Sequence, residues 1–544
     1  MEYIVTTFNS DSRKMSVILG EVAVLLLLAT AFTVTARKAF PVWDDAWRVL
    51  ILNVEGGEIY ANAKDRPLEG AIEQFLVDRG VLWQTATLVH WLAWISLGVV
   101  TMRVWAVLFP EHRQYALPVA CLAMAPLLCQ TQYILLTAVF NCQVPMLMAY
   151  TAILLVWRSH GHDRPFWWKA ARHCLAVILL ALATLISEYA LPTVAAGVTL
   201  MALAPGQATQ PWRGRWKTIA LLLGTTVVVY FIFRWSADVS PRPEARPEFV
   251  VIGQSSIRNM AIMAAYLATS CWQGTVGMLL EKVSAIHCQG YLPLFSILAA
   301  GLPLACLVIL VTHYRARQSA FSDTAEIFNL HKTFMLLAAL IAGILPVIIM
   351  QKMPGPGLSS RYWLPVLPVA ACLNIYLLLS VLRPRMWWIV ASLCGFLAGY
   401  FTVMTAVPTI RELPKVASWG KNLERYVSPE GLTVAVFDDV KTPDGIRRDI
   451  ADYELTARLI ASWPRDKQKR FWAFSTPDRA VRYASGIYIN QNEAPQIDKY
   501  VRGVVRRGLI ERLLWIHGES DGSLNIIDCR DADRKDSAKE VTPN

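Results

Sequence analysis

The sequence has no cysteines or histidines clustered at metal-ligand spacing and no small-x-small cleavage site after its first apolar run. It also has few charges inside the apolar runs that follow. The first absence removes zinc-motif and disulfide-framework readings. The ten cysteines are scattered, mostly within apolar segments, and read as small core residues. Only Cys271 and Cys288 fall in a stretch assigned outside the cytoplasm, where a disulfide stays open. The second absence bears on Ser16 to Ala36, which follows Arg13 and Lys14. This run is longer than a signal-peptide core of about 7–15 residues and reads as a retained first helix. The third absence, with no visible internal repeat, argues against a transporter, which concentrates ionisable residues at the midplane of broken, repeated helices.

What is present is length and apolar bulk: 544 residues, 55% hydrophobic, mean hydropathy +0.38. Apolar runs of about 20 residues recur, each long enough for a hydrocarbon core about 30 Å thick. The segments 16–36, 81–109, 116–131, 134–157, 173–187, 190–205, 217–235, 291–313, 333–351, 362–382 and 386–408 predict a polytopic all-α membrane domain of about eleven transmembrane helices. Net charge is +11, divided as +9 before Arg411 and +2 from it onward. Basic residues flanking apolar helices suit loops facing anionic lipid, whereas a nucleic-acid binder gathers them on a soluble face. Lys and Arg between Arg158 and Arg172, Arg213 and Lys217, Arg315 and Lys332, and Arg383 and Arg385 put these loops and the N-terminus in the cytoplasm.

The first outer loop holds FPVWDDAW, Phe40 to Trp47. After it, Trp47, Leu50, Ile51 and Val54, then Leu68, Ile72, Phe75 and Leu76, recur at helical spacing with charges between them. This pattern predicts two short amphipathic helices lying in the interface. Residues 236–258 read as a proline-rich loop, and 259–285 as an in-plane or re-entrant segment. From Arg411 the composition changes: LTVAVFD, RFWAF, GIYIN and LNIID read as strands, and DIADYELTARLIASW as a helix. The expected organisation is a membrane domain over 1–410, a small extracytoplasmic α/β domain over 411–530, and a disordered polar tail over 531–544.

Polar clusters at the outer helix ends are costly near a bilayer and call for individual readings. They are Asp44-Asp45, Lys64-Asp65-Arg66, Glu188-Tyr189 and Ser359-Ser360-Arg361-Tyr362, with Gln130, Gln132, Asn141 and Gln143 nearby. Bland readings compete with functional ones. One of the two aspartates can cap the helix starting near Ala46, Glu188 can reach interfacial water, and Arg361 can snorkel beside Tyr362 and Trp363. His90, His287 and Asp438-Asp439 read as structural or solvated. Taken together, the clusters suit one chemistry. A carboxylate serves as general base on an acceptor hydroxyl, and Lys or Arg clamps a phosphate that leaves with growing negative charge. A lipid-borne phosphate reaches that depth laterally, and a single base suits direct, inverting displacement.

At this point the chain resembles the GT-C class of membrane glycosyltransferases, which take sugars from polyprenyl-phosphate carriers. The resemblance extends to branches similar to O-antigen glucosyltransferases, aminoarabinose transferases and mannosyltransferases. It is carried by Asp44-Asp45 just after helix one, by KDRPLEG (Lys64 to Gly70), which is similar to a (D/G)RPL element, and by SSRYWLPVLP from Ser359, which is similar to a late Arg-Tyr motif. It implies that Asp44 or Asp45 is the catalytic base, and that the donor is a polyprenyl-phosphate-linked sugar met at the periplasmic face of a bacterial inner membrane. The acceptor it implies is an envelope glycan, such as O-antigen, or a surface protein. Lys64, Arg66, Glu188, Tyr189, Arg361 and Tyr362 are the expected substrate-binding residues. No metal-ligand cluster is visible, and dependence on a divalent metal stays open. The rival readings are a lipid-linked oligosaccharide polymerase or ligase and a flippase.

Overall fold

The computed structural model describes residues 19–34, 36–37, 40, 49, 67–124, 136–137, 139–157, 165–204, 212–236, 330–349, 364–381, 416, 418–438, 452–474, 510–518 and 524–528. Contacts divide the chain into two compact units, Met1–Arg37 with Tyr60–Ala406 and Lys38–Ile59 with Val407–Asn544.

The first unit is helical throughout its described residues. Its helices are α1 Leu19–Val34, α2 Pro67–Asp78, α3 Leu82–Leu108, α4 Ala116–Met124, α5 Val144–Trp157, α6 Phe166–Ile186, α7 Ala190–Leu203, α8 Trp212–Ser236, α9 Leu330–Ile349 and α10 Leu367–Val381. Pro67 opens α2, where its missing N–H costs nothing. Gly80, at φ 68°, closes it with hydrogen bonds from Gly80 N to Val77 O (2.8 Å) and from Val81 N to Leu76 O (3.0 Å). Extended backbone at Pro165 and Ser187 brackets α6.

Three contacts fix the helix directions. His331 Nε2 lies 2.9 Å from the carbonyl of Leu203, and Lys332 pairs with Glu111, so the end of α7, the turn after α3 and the start of α9 share one end of the bundle. Thr33, at the end of α1, bonds His90 two turns into α3, so those two helices run antiparallel and the start of α3 lies at the opposite end. The turn Ser187–Tyr189 joins the end of α6 to the start of α7, and it therefore lies at the far end of α7 from Leu203. Tracing back through α6 puts the start of α5 at that same opposite end, which is the outer end in the sequence-derived orientation.

Among the described residues, two helices are long and apolar enough to cross a membrane: α3 and α6, of 27 and 21 residues. The apolar parts of α1, α5, α7, α8, α9 and α10 span 10–17 residues. Of the predicted 116–131 segment, the described residues form the buried α4, and 125–131 lie outside them. One boundary shifts from expectation. Helix α6 starts at Phe166, seven residues before the predicted 173, because the pair Trp167-Trp168 and Lys169 continue the helix outward from Pro165. The segments 291–313 and 386–408, the first in-plane helix, the 259–285 segment, Cys271, Cys288, His287 and the 531–544 tail lie outside the described residues.

The second unit holds a four-stranded sheet in the order β2-β1-β3-β4, formed by β1 Leu432–Asp438, β2 Phe471–Phe474, β3 Ile510–Gly518 and β4 Leu524–Asp528. Strand β1 runs parallel to β2 and β3, and β4 runs antiparallel to β3. Helix α11, Asp452–Ile460, crosses over from β1 to β2, as the expected α/β reading requires. Strand β3 is an addition to the sequence reading. Its ERLLWI run alternates, with Leu514 and Ile516 buried and Leu513 and Trp515 partly exposed, but the two charges at its start, Glu511 and Arg512, mask the pattern. GIYIN lies outside the described residues.

Candidate functional site

The end of the bundle that holds Ser187–Tyr189 and the start of α3 carries buried polar groups. Ser187, extended at φ −163° and ψ 153°, interrupts the helix and turns Glu188 inward. Its hydroxyl donates to Glu188 Oε2 at 3.3 Å and accepts the backbone N–H of Tyr189 at 3.4 Å. Glu188 is 5% exposed, so it does not reach interfacial water. The bland reading of that carboxylate is thereby corrected: the extended Ser187 breaks the helix and folds the side chain back against the bundle. Tyr189 is buried beside it, and Thr193 donates to its carbonyl at 2.9 Å.

Helix α2 packs on α3 and α6. It forms over the expected residues, but its faces are the reverse of the apolar-inside pattern: Glu69 and Glu73, one helical turn apart, are buried, while Phe75 is 57% exposed. Because the turn around Gly80 joins α2 directly to the start of α3, Glu69 and Glu73 belong to the same end of the bundle as Ser187–Tyr189. Sequence reasoning did not single these two acids out, although their i, i+4 spacing in PLEGAIEQF was a visible signal.

Two further features belong to this end. Residues Val139–Gln143 form a π-helical turn before α5, a wide turn often found at functional sites. Gln143, which it carries, is buried. Seven residues on, Tyr150 donates its hydroxyl to the carbonyl of Pro365 at 2.7 Å. That bond ties α5 to the short turn Leu364–Val366, two residues past the predicted Arg361-Tyr362 motif.

Of the sequence-predicted site residues, Glu188 and Tyr189 are described and adjacent. Asp44, Asp45, Lys64, Arg66, Arg361 and Tyr362 lie outside the described residues, as do Gln130, Gln132 and Asp439. Among the described residues, no group of three or more His, Cys, Asp or Glu side chains could hold a metal ion. His90 is fully buried and hydrogen-bonded through both ring nitrogens, which gives it a structural role.

No protein-family model matches the chain, and no curated protein matches it. Solved structures do. An ArnT from Cupriavidus metallidurans in the apo state shares 12% identity over 93% of this chain and 94% of that one, with a TM-score of 0.42. The structure of ArnT from the same organism bound to undecaprenyl phosphate shares 12% identity over 93% of each chain, with a TM-score of 0.44. An oligosaccharyltransferase from Archaeoglobus fulgidus, in complex with zinc and sulfate, shares 12% identity over 90% of this chain and 68% of that one, with a TM-score of 0.31. These are likenesses of chain outline alone.

Proposed function

We propose that the chain is an integral-membrane glycosyltransferase that moves a sugar from a polyprenyl-phosphate donor to an envelope glycan or surface-protein acceptor at the periplasmic face. The observation that carries this reading is that three buried carboxylates, Glu69, Glu73 and Glu188, lie toward one end of the helical bundle. Carboxylates are expensive at such depth, and a site that must bind a hydroxyl-rich ligand beside lipid accounts for them.

In this mechanism Asp44 or Asp45 takes the proton from an acceptor hydroxyl as its oxygen attacks C1 of the sugar. The C1–O bond to phosphate breaks, and its electron pair leaves on the phosphate oxygen. Polyprenyl phosphate departs, and the configuration at C1 inverts because attack and departure occupy opposite faces. Lys64, Arg66 and Arg361 hold the phosphate as its charge grows, with Arg able to bind two oxygens at once. Glu188, Tyr189 and Tyr362 orient hydroxyls of the sugar or acceptor.

The test uses purified protein in lipid nanodiscs, a panel of radiolabelled decaprenyl-phosphate sugars and isolated envelope glycans, with and without EDTA. The expected result is transfer of one sugar by the wild type and loss of transfer in Asp44→Asn or Asp45→Asn with folding intact. Wild-type rates in both variants would sink the base assignment. No transfer from any donor by folded wild-type protein would favour a polymerase or flippase. The EDTA arm reports metal dependence.

A further inference from the structure

We infer that Gln143 reads the donor sugar: its side-chain carbonyl oxygen accepts a hydrogen bond from one hydroxyl of the sugar on the lipid phosphate. The inference rests on the glycosyltransferase reading above. Gln143 is 2% exposed, and its Oε1 has no hydrogen-bond partner within the chain. A buried carbonyl oxygen without a donor costs roughly 1–3 kcal/mol, so a folded chain retains one where something else supplies the donor.

Three observations identify what supplies it. The oxygen sits on the π-turn Val139–Gln143, whose extra residue widens the helix and frees side chains from the regular i→i+4 packing. That turn lies at the bundle end that carries Ser187–Tyr189, as the helix directions require. It also stands about 10 Å along α5 from Tyr150, at 1.5 Å of rise per residue. Tyr150 holds Pro365, and Arg361 is four residues before Pro365, within about 14 Å of extended chain. Tyr150 thus ties the helix that carries Gln143 to the turn that follows the proposed phosphate clamp in sequence.

The chemistry selects among the ligand's parts. A carbonyl oxygen accepts, so it repels phosphate oxygens and gains nothing from prenyl carbons. The sugar hydroxyls are the donors a lipid-linked sugar brings to this depth. A site built to bond one hydroxyl rejects the analogue that lacks it, because the buried acceptor is then stranded.

The experiment uses the full-length chain in nanodiscs with decaprenyl-phosphate hexoses and pentoses, each accompanied by its monodeoxy analogues. For the sugar that wild type transfers, one monodeoxy analogue is expected to lose roughly 10- to 100-fold in kcat/KM. Q143M, of similar volume, should lose a similar factor on the intact donor and abolish the penalty for that one analogue, leaving the other penalties in place. Its melting temperature should hold or rise, since the stranded acceptor is gone. Q143N, with the amide drawn back by one methylene, should weaken discrimination at the same hydroxyl and serves if Q143M does not fold. Unchanged discrimination in both variants would overturn the inference, and a lower melting temperature alongside it would assign Gln143 to a structural buried water. Wild-type protein that transfers no sugar would defeat the glycosyltransferase reading before any variant is made.

Discussion

The indole N–H of Trp94 donates to Nε2 of His90 at 3.1 Å, which makes that nitrogen an acceptor and leaves Nδ1 to donate to Thr33 Oγ1 at 2.9 Å. The imidazole is therefore neutral and held in one tautomer between α1 and α3, with Phe32 edge-on to Trp94 at 5.3 Å. A proton carrier needs a free nitrogen, and His90 offers neither. His90→Leu removes the acceptor for Trp94 and the donor for Thr33, and is expected to cost about 1–3 kcal/mol of stability. Transfer per folded molecule should be unchanged. Thermal melts followed by size-exclusion chromatography, alongside sugar transfer by the surviving monomer, check both halves.

The helices and most of the sheet were legible because their signals are local. Apolar runs announced α3, α7 and α10, and the alternation in LTVAVFD announced β1. What escaped depends on packing. Thr456, on α11, donates to the carbonyl of Ala473 at 3.2 Å and accepts its N–H at 3.0 Å, closing the open side of edge strand β2. No sequence pattern assigns that task to one threonine. The inward face of α2 was similarly hidden: an interface helix and a core helix share one period, and only the position of the bilayer decides whether Phe75 or Glu73 faces out. Glu188 was legible as a candidate, but its burial was not, because the extended Ser187 that turns it inward leaves no mark in the sequence pattern.

Helices α7 and α9 and the turn that leads into α10 meet at Gly343. A Cβ there would collide with Val366 Cγ1 and lie 3.0 Å from Ala196 Cβ and 3.2 Å from the carbonyl of Pro192. A small residue lets the three backbones approach, as in membrane helix pairs generally. Gly343→Ala should therefore cost about 1–3 kcal/mol through overpacking, despite the better helix propensity of alanine. Val366→Ala in the same chain removes the nearest clash and should recover part of the loss, which a double-mutant cycle of thermal stabilities would reveal. Additive losses would contradict the contact.

At the opposite end of the bundle, stability should fall with acid in two stages. Burial holds His112 below its ordinary 6.5, with Lys332 adding to the shift and Glu111 opposing it. The folded chain takes that proton less readily than the unfolded one, so the His112 contribution is full above pH 6.5 and drains as pH falls from there. Burial pushes Glu111 up, but the bond and charge of Lys332, a backbone hydrogen bond and the His112 charge outweigh it, and its carboxyl ends below 4.5. Its contribution is present above pH 4.5 and is lost as pH falls through the lowered value. Melting curves from pH 8 to 3.5 should lose the upper stage in His112→Asn and the lower in Glu111→Gln. The Glu111 variant should cost only about 0.2–1 kcal/mol at neutral pH, as expected of a partly exposed pair.

Tyr150 separates a structural role from a positioning one. It is fully buried, and its hydroxyl donates to the carbonyl of Pro365 at 2.7 Å. Tyr150→Phe keeps the ring, removes that one bond, and should lower stability by about 1 kcal/mol. If the bond served only the fold, kinetics measured on folded protein would be unaffected. Because Pro365 follows the proposed phosphate clamp by four residues, loosening it should raise the KM for the lipid-linked donor several-fold while the KM for the acceptor stays put. A rise in both constants, or in neither, would detach Tyr150 from donor positioning and leave it a packing residue of α5.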